Sequence, residues 1–236
     1  LGFEKDLAAK NGPMSIMKPL SERMDDIESY YEGILLPAEK LSDDAIAATI
    51  EKFKQSKGLK LRGQQKTVDT MKKSTNSGSP YFTKRRNVVA KTVPVKFMIL
   101  CTNIEMVTRN SGSCAILGWR GQEGGPNPED TKQRVVWMFP FAVNVRELQM
   151  YQPLIECFQS FDLVPAWVSM ESVDKRITRL FDTKGDDDDV VCTDFSKFDQ
   201  HFNESLQDAA RRILTQLCAD TPDNRKWLDE VFPIKY

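Results

Sequence analysis

The chain has 236 residues, 40 % of them hydrophobic and 28 % charged, which suits one large soluble domain or part of a longer protein. No apolar run approaches the ~20 residues of a membrane helix, and the first residues, LGFEKDLAAKNG, lack the apolar stretch of a secretory signal. The five cysteines are scattered, odd in number and never in a C-x-x-C pair, and His201 is the one histidine, so a disulfide framework, a zinc ribbon and a His-rich metal site are excluded and a reducing compartment fits best.

The chain begins at Leu1 rather than Met and stops in the apolar run VFPIKY, so both ends are expected to be cut from a longer protein. Its first half reads as mainly helical. Ser21 is placed to cap a helix whose apolar face is Met24, Ile27, Tyr31 and Ile34. Ser42 is placed to cap another, with Ile46, Ile50 and Phe53 on one side and Gly58 closing it. The net charge of −1 hides a segregation: from Lys54 to Lys96 there are twelve basic residues and one acid, Asp69. Such a surplus suits a polyanion, and equally a solvated basic face. Tyr81 and Phe82 beside Lys84, Arg85 and Arg86 favour single-stranded nucleic acid, where rings stack on bases and cations pair with phosphates. Residues 74–80, STNSGSP, are a loop by composition, and residues 88–101, VVAKTVPVKFMILC, are a predicted strand interrupted by Pro94.

Residues 121–130, GQEGGPNPED, form a second predicted loop, followed by a strand from Arg134 to Phe139. Asn144 and Glu147 have capping-box spacing for a helix carrying Leu148, Tyr151, Ile155 and Phe158, kinked at Pro153. A helix around Val173, Ile177 and Leu180 leads into the turn Thr183-Lys184-Gly185. Phe202, Leu206, Ala209, Ala210, Ile213 and Leu217 recur at helical spacing behind a capping Asn203, which predicts a helix over 203–218.

Between the last two helices lies GDDDDVVCTDFSKFDQHFN, residues 185–203. The pattern predicts an acidic turn, a buried strand over 190–194 and a short loop. Ligands gather at the C-terminal ends of strands in open sheets. That singles out Asp194, because a carboxylate there is aimed and partly desolvated, as a ligand for a divalent ion should be. Two such ions ~3.5–4 Å apart can clamp the attacking and leaving oxygens of a phosphoryl transfer. Asp186 to Asp189 fit this poorly. Asp187 precedes Asp194 by seven residues, ~23 Å along an extended chain at ~3.3 Å per residue. Nothing in 190–193 would reverse the chain, so Gly185-Asp186-Asp187 reads as a solvated acidic turn. The spacing of Asp194 and Asp199 alone fits a functional pair and an idle strand end before a helix start equally well.

The run C-T-D-F-S-K-F-D-Q-H-F-N, Cys192 to Asn203, resembles the first palm motif of viral RNA-dependent RNA polymerases, closest to the picobirnavirus group. T-N-S-G-S-P-Y, Thr75 to Tyr81, resembles the fingers loop that guides the template strand. K-Q-R-V-V-W-M-F-P, Lys132 to Pro140, resembles the basic fingers motif that roofs the nucleotide channel. The three occur in the family's order. The resemblance implies an α+β, right-hand polymerase fold, predominantly helical with a small mixed sheet. Residues 1–180 would be fingers with an N-terminal extension, including a template loop at 74–86 and the basic motif at 131–140. Residues 181–236 would be the first part of the palm.

The same resemblance implies two magnesium ions, with manganese as an alternative. Asp194 would ligate both, and the Phe195 carbonyl would add a ligand to one. Asp199 would sense the ribose 2′-hydroxyl, the group that separates RNA from DNA substrates. Arg134 would lie over the nucleotide base and contact its phosphates, and Lys132 would add charge on the triphosphate. Ser77, Gly78 and Pro80 would shape the template entrance, and Lys84, Arg85 and Arg86 would contact RNA phosphates. His201 reads as structural or supporting. Implied partners are RNA template and product, ribonucleoside triphosphates and, further out, a viral capsid protein, in the virion interior or the host cytoplasm.

The family's S-G-x-x-x-T loop and Gly-Asp-Asp hairpin do not follow Asn203, and Ser77-Gly78 and Ser111-Gly112 lack the right continuation. The chain is therefore expected to be an incomplete portion, missing one metal carboxylate and inactive alone. The rival reading is a non-catalytic RNA-binding protein that uses the basic 54–96 segment. A reverse transcriptase is disfavoured by Asp199, where those enzymes usually carry a bulky residue.

Overall fold

Residues 1–96, 115–127 and 129–232 are described by a computed structural model, and most of them are helical. The N-terminal helices are α1 (Gly2–Ser15), α2 (Met24–Leu35), α3 (Asp43–Lys52), α4 (Gln64–Thr70) and the short α5 (Val89–Thr92). Strands β1 (Ile116–Glu123) and β2 (Thr131–Met138) pair antiparallel as a two-stranded sheet, where a mixed sheet was expected. Helices α6 (Phe141–Ser160), α7 (Met170–Thr183), α8 (Glu204–Leu217) and α9 (Pro222–Glu230) follow. Among the described residues no helix is long and apolar enough to cross a membrane.

Two predicted caps form. The Ser42 hydroxyl accepts from the Ala45 amide and the Asn203 side chain from the Leu206 amide, each at 3.2 Å. Two others give way to tertiary contacts. Ser21 lies in a single 3-10 turn, and α2 starts after Arg23, whose buried guanidinium donates to the Gly118 carbonyl at 3.0 Å. Helix α6 starts at Phe141, three residues before Asn144, because the Phe141 amide donates to the Ser77 carbonyl at 2.8 Å. That contact satisfies a first-turn amide that a capping box would otherwise serve. Helix α6 then runs through Pro153 to Ser160. Gly58 does not close α3. It follows a further 3-10 turn, takes φ +87° and donates its amide to the Leu217 carbonyl at 2.8 Å.

Among the described residues two predicted strands do not form. Val89–Thr92 is helical, and the segment after it is held by Gln64, whose side chain pairs with both backbone groups of Val95. Residues 97–101 of that prediction, and Ser111-Gly112, lie outside the described residues. Residues 188–195 form no ladder. A strand needs a neighbour for its backbone groups, and among the described residues none pairs with this segment.

Helix α6 is the spine of the core. On one side Val143 and Met150 pack with Leu214, Cys218, Trp227, Leu228 and Val231 of α8, α9 and their flanks. On another, Phe141 and Val145 pack with Val68, Met71 and Val88. Each apolar side chain so enclosed contributes about 1.5–3 kcal/mol. The Trp227 indole donates to the Arg146 carbonyl at 2.7 Å and meets the Tyr151 ring edge-on. The fold thus locks the 74–86 loop, the hairpin and α8 to one helix. The apolar face of α7, with Ile177, Leu180 and Phe181, is left exposed.

Candidate nucleic-acid and nucleotide interface

The loop at 74–86 is closed by its own backbone. Ser77 is 1 % exposed; its amide donates to the Thr83 carbonyl at 2.7 Å and its hydroxyl accepts from the Thr83 amide at 3.3 Å. Gly78 takes φ +66°, its amide capped by the Asn76 side chain at 2.7 Å, and Pro80 follows a cis peptide bond. The bend leaves Tyr81 and Phe82 exposed, with the Lys91 ammonium 5.8 Å from the centre of the Tyr81 ring. Aromatic faces beside cations at such a bend are suited to stacking bases and pairing phosphates.

The basic residues of this region divide. Lys84 and Arg86 are exposed. Arg85 turns inward: its Nη2 donates to the Asn144 side chain at 2.7 Å, its guanidinium lies 5.7 Å from the centre of the Phe141 ring, and burial lowers its pKa. Arg62 is committed to Glu156 of α6 and Lys54 to Glu51, while Lys73 stands 4.0 Å from Asp69. The basic surplus over 54–96 is therefore partly spent on the protein itself.

The β1–β2 hairpin has two unlike faces because side chains alternate along a strand. One face packs on the N-terminal helices. Trp137 meets Tyr30 and Tyr31 of α2, the buried Gln133 side chain bonds the backbone of Ile16 and Lys18, and Lys10 pairs with Glu123 at 3.0 Å. The other face carries Lys132 and Arg134, both exposed. Arg120 of β1 sits directly opposite Arg134 in the register and is exposed too. Opposed residues of an antiparallel pair share a face, so Arg120 joins them. Sequence reasoning missed it because β1 itself was unread; the alternation in I-L-G-W-R-G-Q-E is interrupted by glycines and overlaps the predicted loop.

Residues 185–203 form the third part. Asp188 accepts from the Gly185 amide at 2.7 Å and Lys184 bonds the Gly185 and Asp188 carbonyls, so the four aspartates sit on an exposed turn. Asp194 and Phe195 end the following irregular segment, and Asp199 lies in the 3-10 turn Phe198–His201; all three are exposed. Phe195, Phe198 and Phe202 make a chain of ring contacts with centroids 6.0 Å apart. Among the described residues no three His, Cys, Asp or Glu side chains converge as a metal site.

The structure joins the 74–86 loop to the end of β2 through the Ser77–Phe141 bond and the close approach of Gly78 to Phe139. No hydrogen bond or ion pair among the described residues links Lys132 or Arg134 to Asp194 or Asp199. The family model described as viral RNA-dependent RNA polymerase matches residues 18–232. The chain belongs to that family. It is 57 % identical, over 99 % of its length, to a protein of Human picobirnavirus (strain Human/Thailand/Hy005102/-) named as a potential RNA-dependent RNA polymerase. Two crystal structures of the RNA-dependent RNA polymerase of a human picobirnavirus, one an insertion-loop deletion mutant, superpose with TM-scores of 0.86 and 0.85 at 55 % and 54 % identity over the whole chain. The chain spans 44 % to 46 % of the length of these relatives. The α+β right-hand polymerase fold expected from the three motifs is therefore its fold. Nothing in the polymerase family's name distinguishes the exposed Lys84 and Arg86 from the buried-facing Arg85; the side-chain contacts above do.

Proposed function

We propose that this chain forms the fingers, residues 1–180, and the first part of the palm, residues 181–236, of an enzyme that copies viral RNA. In the whole polymerase, the 3′-hydroxyl oxygen of a primer or first nucleotide attacks the α-phosphorus of a ribonucleoside triphosphate. The phosphorus–oxygen bond to pyrophosphate breaks. The observation that carries the reading is the match, at 55 % identity and TM-score 0.86 over the entire chain, to a solved polymerase.

The residues take roles that their placement supports. Arg120, Lys132 and Arg134 put three cations on one exposed hairpin face, a fitting partner for a triphosphate. The bend at Ser77, Gly78 and Pro80, with exposed Tyr81, Lys84 and Arg86, guides the template strand. Asp199 accepts a hydrogen bond from the ribose 2′-hydroxyl. Magnesium, or manganese in its place, would stabilise charge on the attacking and leaving oxygens when two ions are bound. Asp194 suits one ligand position by its oxygen chemistry and exposure, with the Phe195 carbonyl beside it. The remaining carboxylates come from elsewhere in the whole enzyme, so the chain alone is expected to be inactive. A virion-interior or host-cytoplasmic setting, with capsid protein as a neighbour, belongs to the same proposal and is supported by the viral origin of the relatives.

The test is Asp194→Ala in the intact polymerase. Nucleotide incorporation should vanish while template binding persists. Near-normal elongation by that variant would overturn the reading.

A further inference from the structure

Helix α2 touches two parts of the proposed site, the hairpin and the Phe198–His201 turn. At its start, Arg23 is 2 % exposed and donates to the Gly118 carbonyl of β1 at 3.0 Å. In its middle, the Tyr30 and Tyr31 rings lie 6.0 Å and 6.1 Å from the Trp137 ring of β2. Near its end, Gly33 is buried against the Phe198–His201 turn. A Cβ added there would stand 2.9 Å from the Gln200 carbonyl oxygen and 3.1 Å from Cδ2 of the His201 ring. Ten residues of helix separate Arg23 from Gly33, a rigid spacing of about 15 Å.

The turn under Gly33 is shaped to receive it. Lys197 adopts the left-handed conformation, φ 49° and ψ 42°, which is uncommon for a residue with a side chain. Its carbonyl accepts from the amides of Gln200 and His201 at 2.9 Å and 3.2 Å, and lies 3.0 Å from His201 Nδ1. A carbonyl can only accept, so Nδ1 carries the proton and the ring folds back over its own turn. Its other edge then faces Gly33. Asp199 sits inside this turn, immediately before the two residues that α2 presses on. A glycine inside a helix is roughly 0.5–1 kcal/mol worse than alanine, and the close approach supplies a reason for one here.

We propose that Gly33 and His201 are positioning residues: their contact fixes, through α2, where Asp199 stands relative to the basic hairpin, and so sets the preference for ribose over deoxyribose. The inference rests on Asp199 being the ribose sensor. Helix α2 acts as a spacer, anchored on the hairpin by Arg23 and Trp137 and seated on the turn by Gly33.

The experiment compares ribo- and deoxyribonucleotide incorporation by the intact polymerase carrying Gly33→Ala, His201→Ala or Asp199→Ala. Gly33→Ala and His201→Ala should each lower the ribo-to-deoxy ratio of kcat/KM by about three- to tenfold, chiefly by raising KM for the ribonucleotide. Template affinity should not change. A merely structural Gly33 would behave otherwise: the added Cβ would lower the thermal midpoint and leave the ratio alone. If Asp199→Ala lowers the ratio and both other variants keep it at the wild-type value, the inference fails and the sensor reading stands. If Asp199→Ala also keeps it, both fall. His201→Ala removes bulk instead of adding it, and decides the matter where Gly33→Ala does not fold.

Discussion

Gly78 and Phe139 meet backbone to backbone: a Cβ on Gly78 would lie 2.9 Å from the Phe139 carbonyl oxygen. The proposed template loop is thereby fastened to the strand that carries Lys132 and Arg134. Gly78 also takes φ +66°, a region that costs a side-chain-bearing residue about 1–2 kcal/mol. The obstructing atom is backbone and cannot swing aside. Gly78→Ala should therefore lower the thermal midpoint and weaken binding of single-stranded template RNA together. An alanine variant with wild-type midpoint and affinity would show that the loop is not held in this way.

Asn224 is 1 % exposed and uses its whole amide. It donates to the Leu59 and Ala219 carbonyls at 2.8 Å and 2.7 Å and accepts from the Leu61 amide at 3.2 Å. The 59–61 segment and the connection between α8 and α9 meet at this one side chain. A buried backbone group left without a partner costs about 1–3 kcal/mol. The Leu59 and Ala219 carbonyls keep the Ala219 and Thr221 amides as donors at 2.8 Å and 2.9 Å, so Asn224→Ala orphans the Leu61 amide and should cost about 1–3 kcal/mol in urea unfolding. Asn224→Asp keeps the acceptor, loses both donors and should fare no better. Unfolding midpoints close to wild type for both would show that water replaces the amide.

What could be read from the sequence follows from how local the signal is. Ser42 and Asn203 cap as predicted because a cap is decided within four residues. Helix α8 forms where its apolar spacing placed it. Ser21 and Asn144 fail as caps because distant partners, the Gly118 carbonyl under Arg23 and the Ser77 carbonyl at Phe141, set those helix starts instead. The 190–194 strand failed for a related reason, since a ladder is a property of two segments. The residues of the proposed site were assigned by motif. Arg120 was not, because its place beside Arg134 is a consequence of register, and Gly33 was not, because only the folded chain brings it to His201.

The thiols should separate by reactivity. Cys192 is exposed, burial raises the Cys157 pKa, and burial pushes Cys218 from the usual 9.0 up to about 11. The thiolate is the nucleophile. In a Cys101→Ser, Cys114→Ser background near neutral pH, a maleimide should label Cys192 first and Cys218 only on unfolding. Rapid labelling of Cys218 in the native protein would contradict its packing against Met150. The same shift carries a pH dependence. A raised pKa means that the folded state holds its proton longer, so the contribution is complete below pH 9.0 and is lost as pH rises toward about 11. A thermal midpoint that declines less steeply over that window in Cys218→Ala than in wild type is the expected result.

Lys84, Arg85 and Arg86 are adjacent and should nonetheless behave differently. Each phosphate contact to single-stranded nucleic acid contributes about 0.7 to the slope of log affinity against log salt. Lys84→Gln and Arg86→Gln should each reduce that slope by about this amount and leave the thermal midpoint unchanged, since both side chains are exposed. Arg85 instead holds Asn144 at 2.7 Å and covers the Phe141 ring. Arg85→Gln should cost about 1–3 kcal/mol of stability, the range for a hydrogen bond to a charged group plus a partly buried cation–ring contact. At temperatures where the variant is folded, its salt slope should match wild type. A reduced slope with an unchanged midpoint would instead mean that Arg85 leaves Asn144 to reach the RNA, and that the inward contact is the resting arrangement of a mobile template-binding residue.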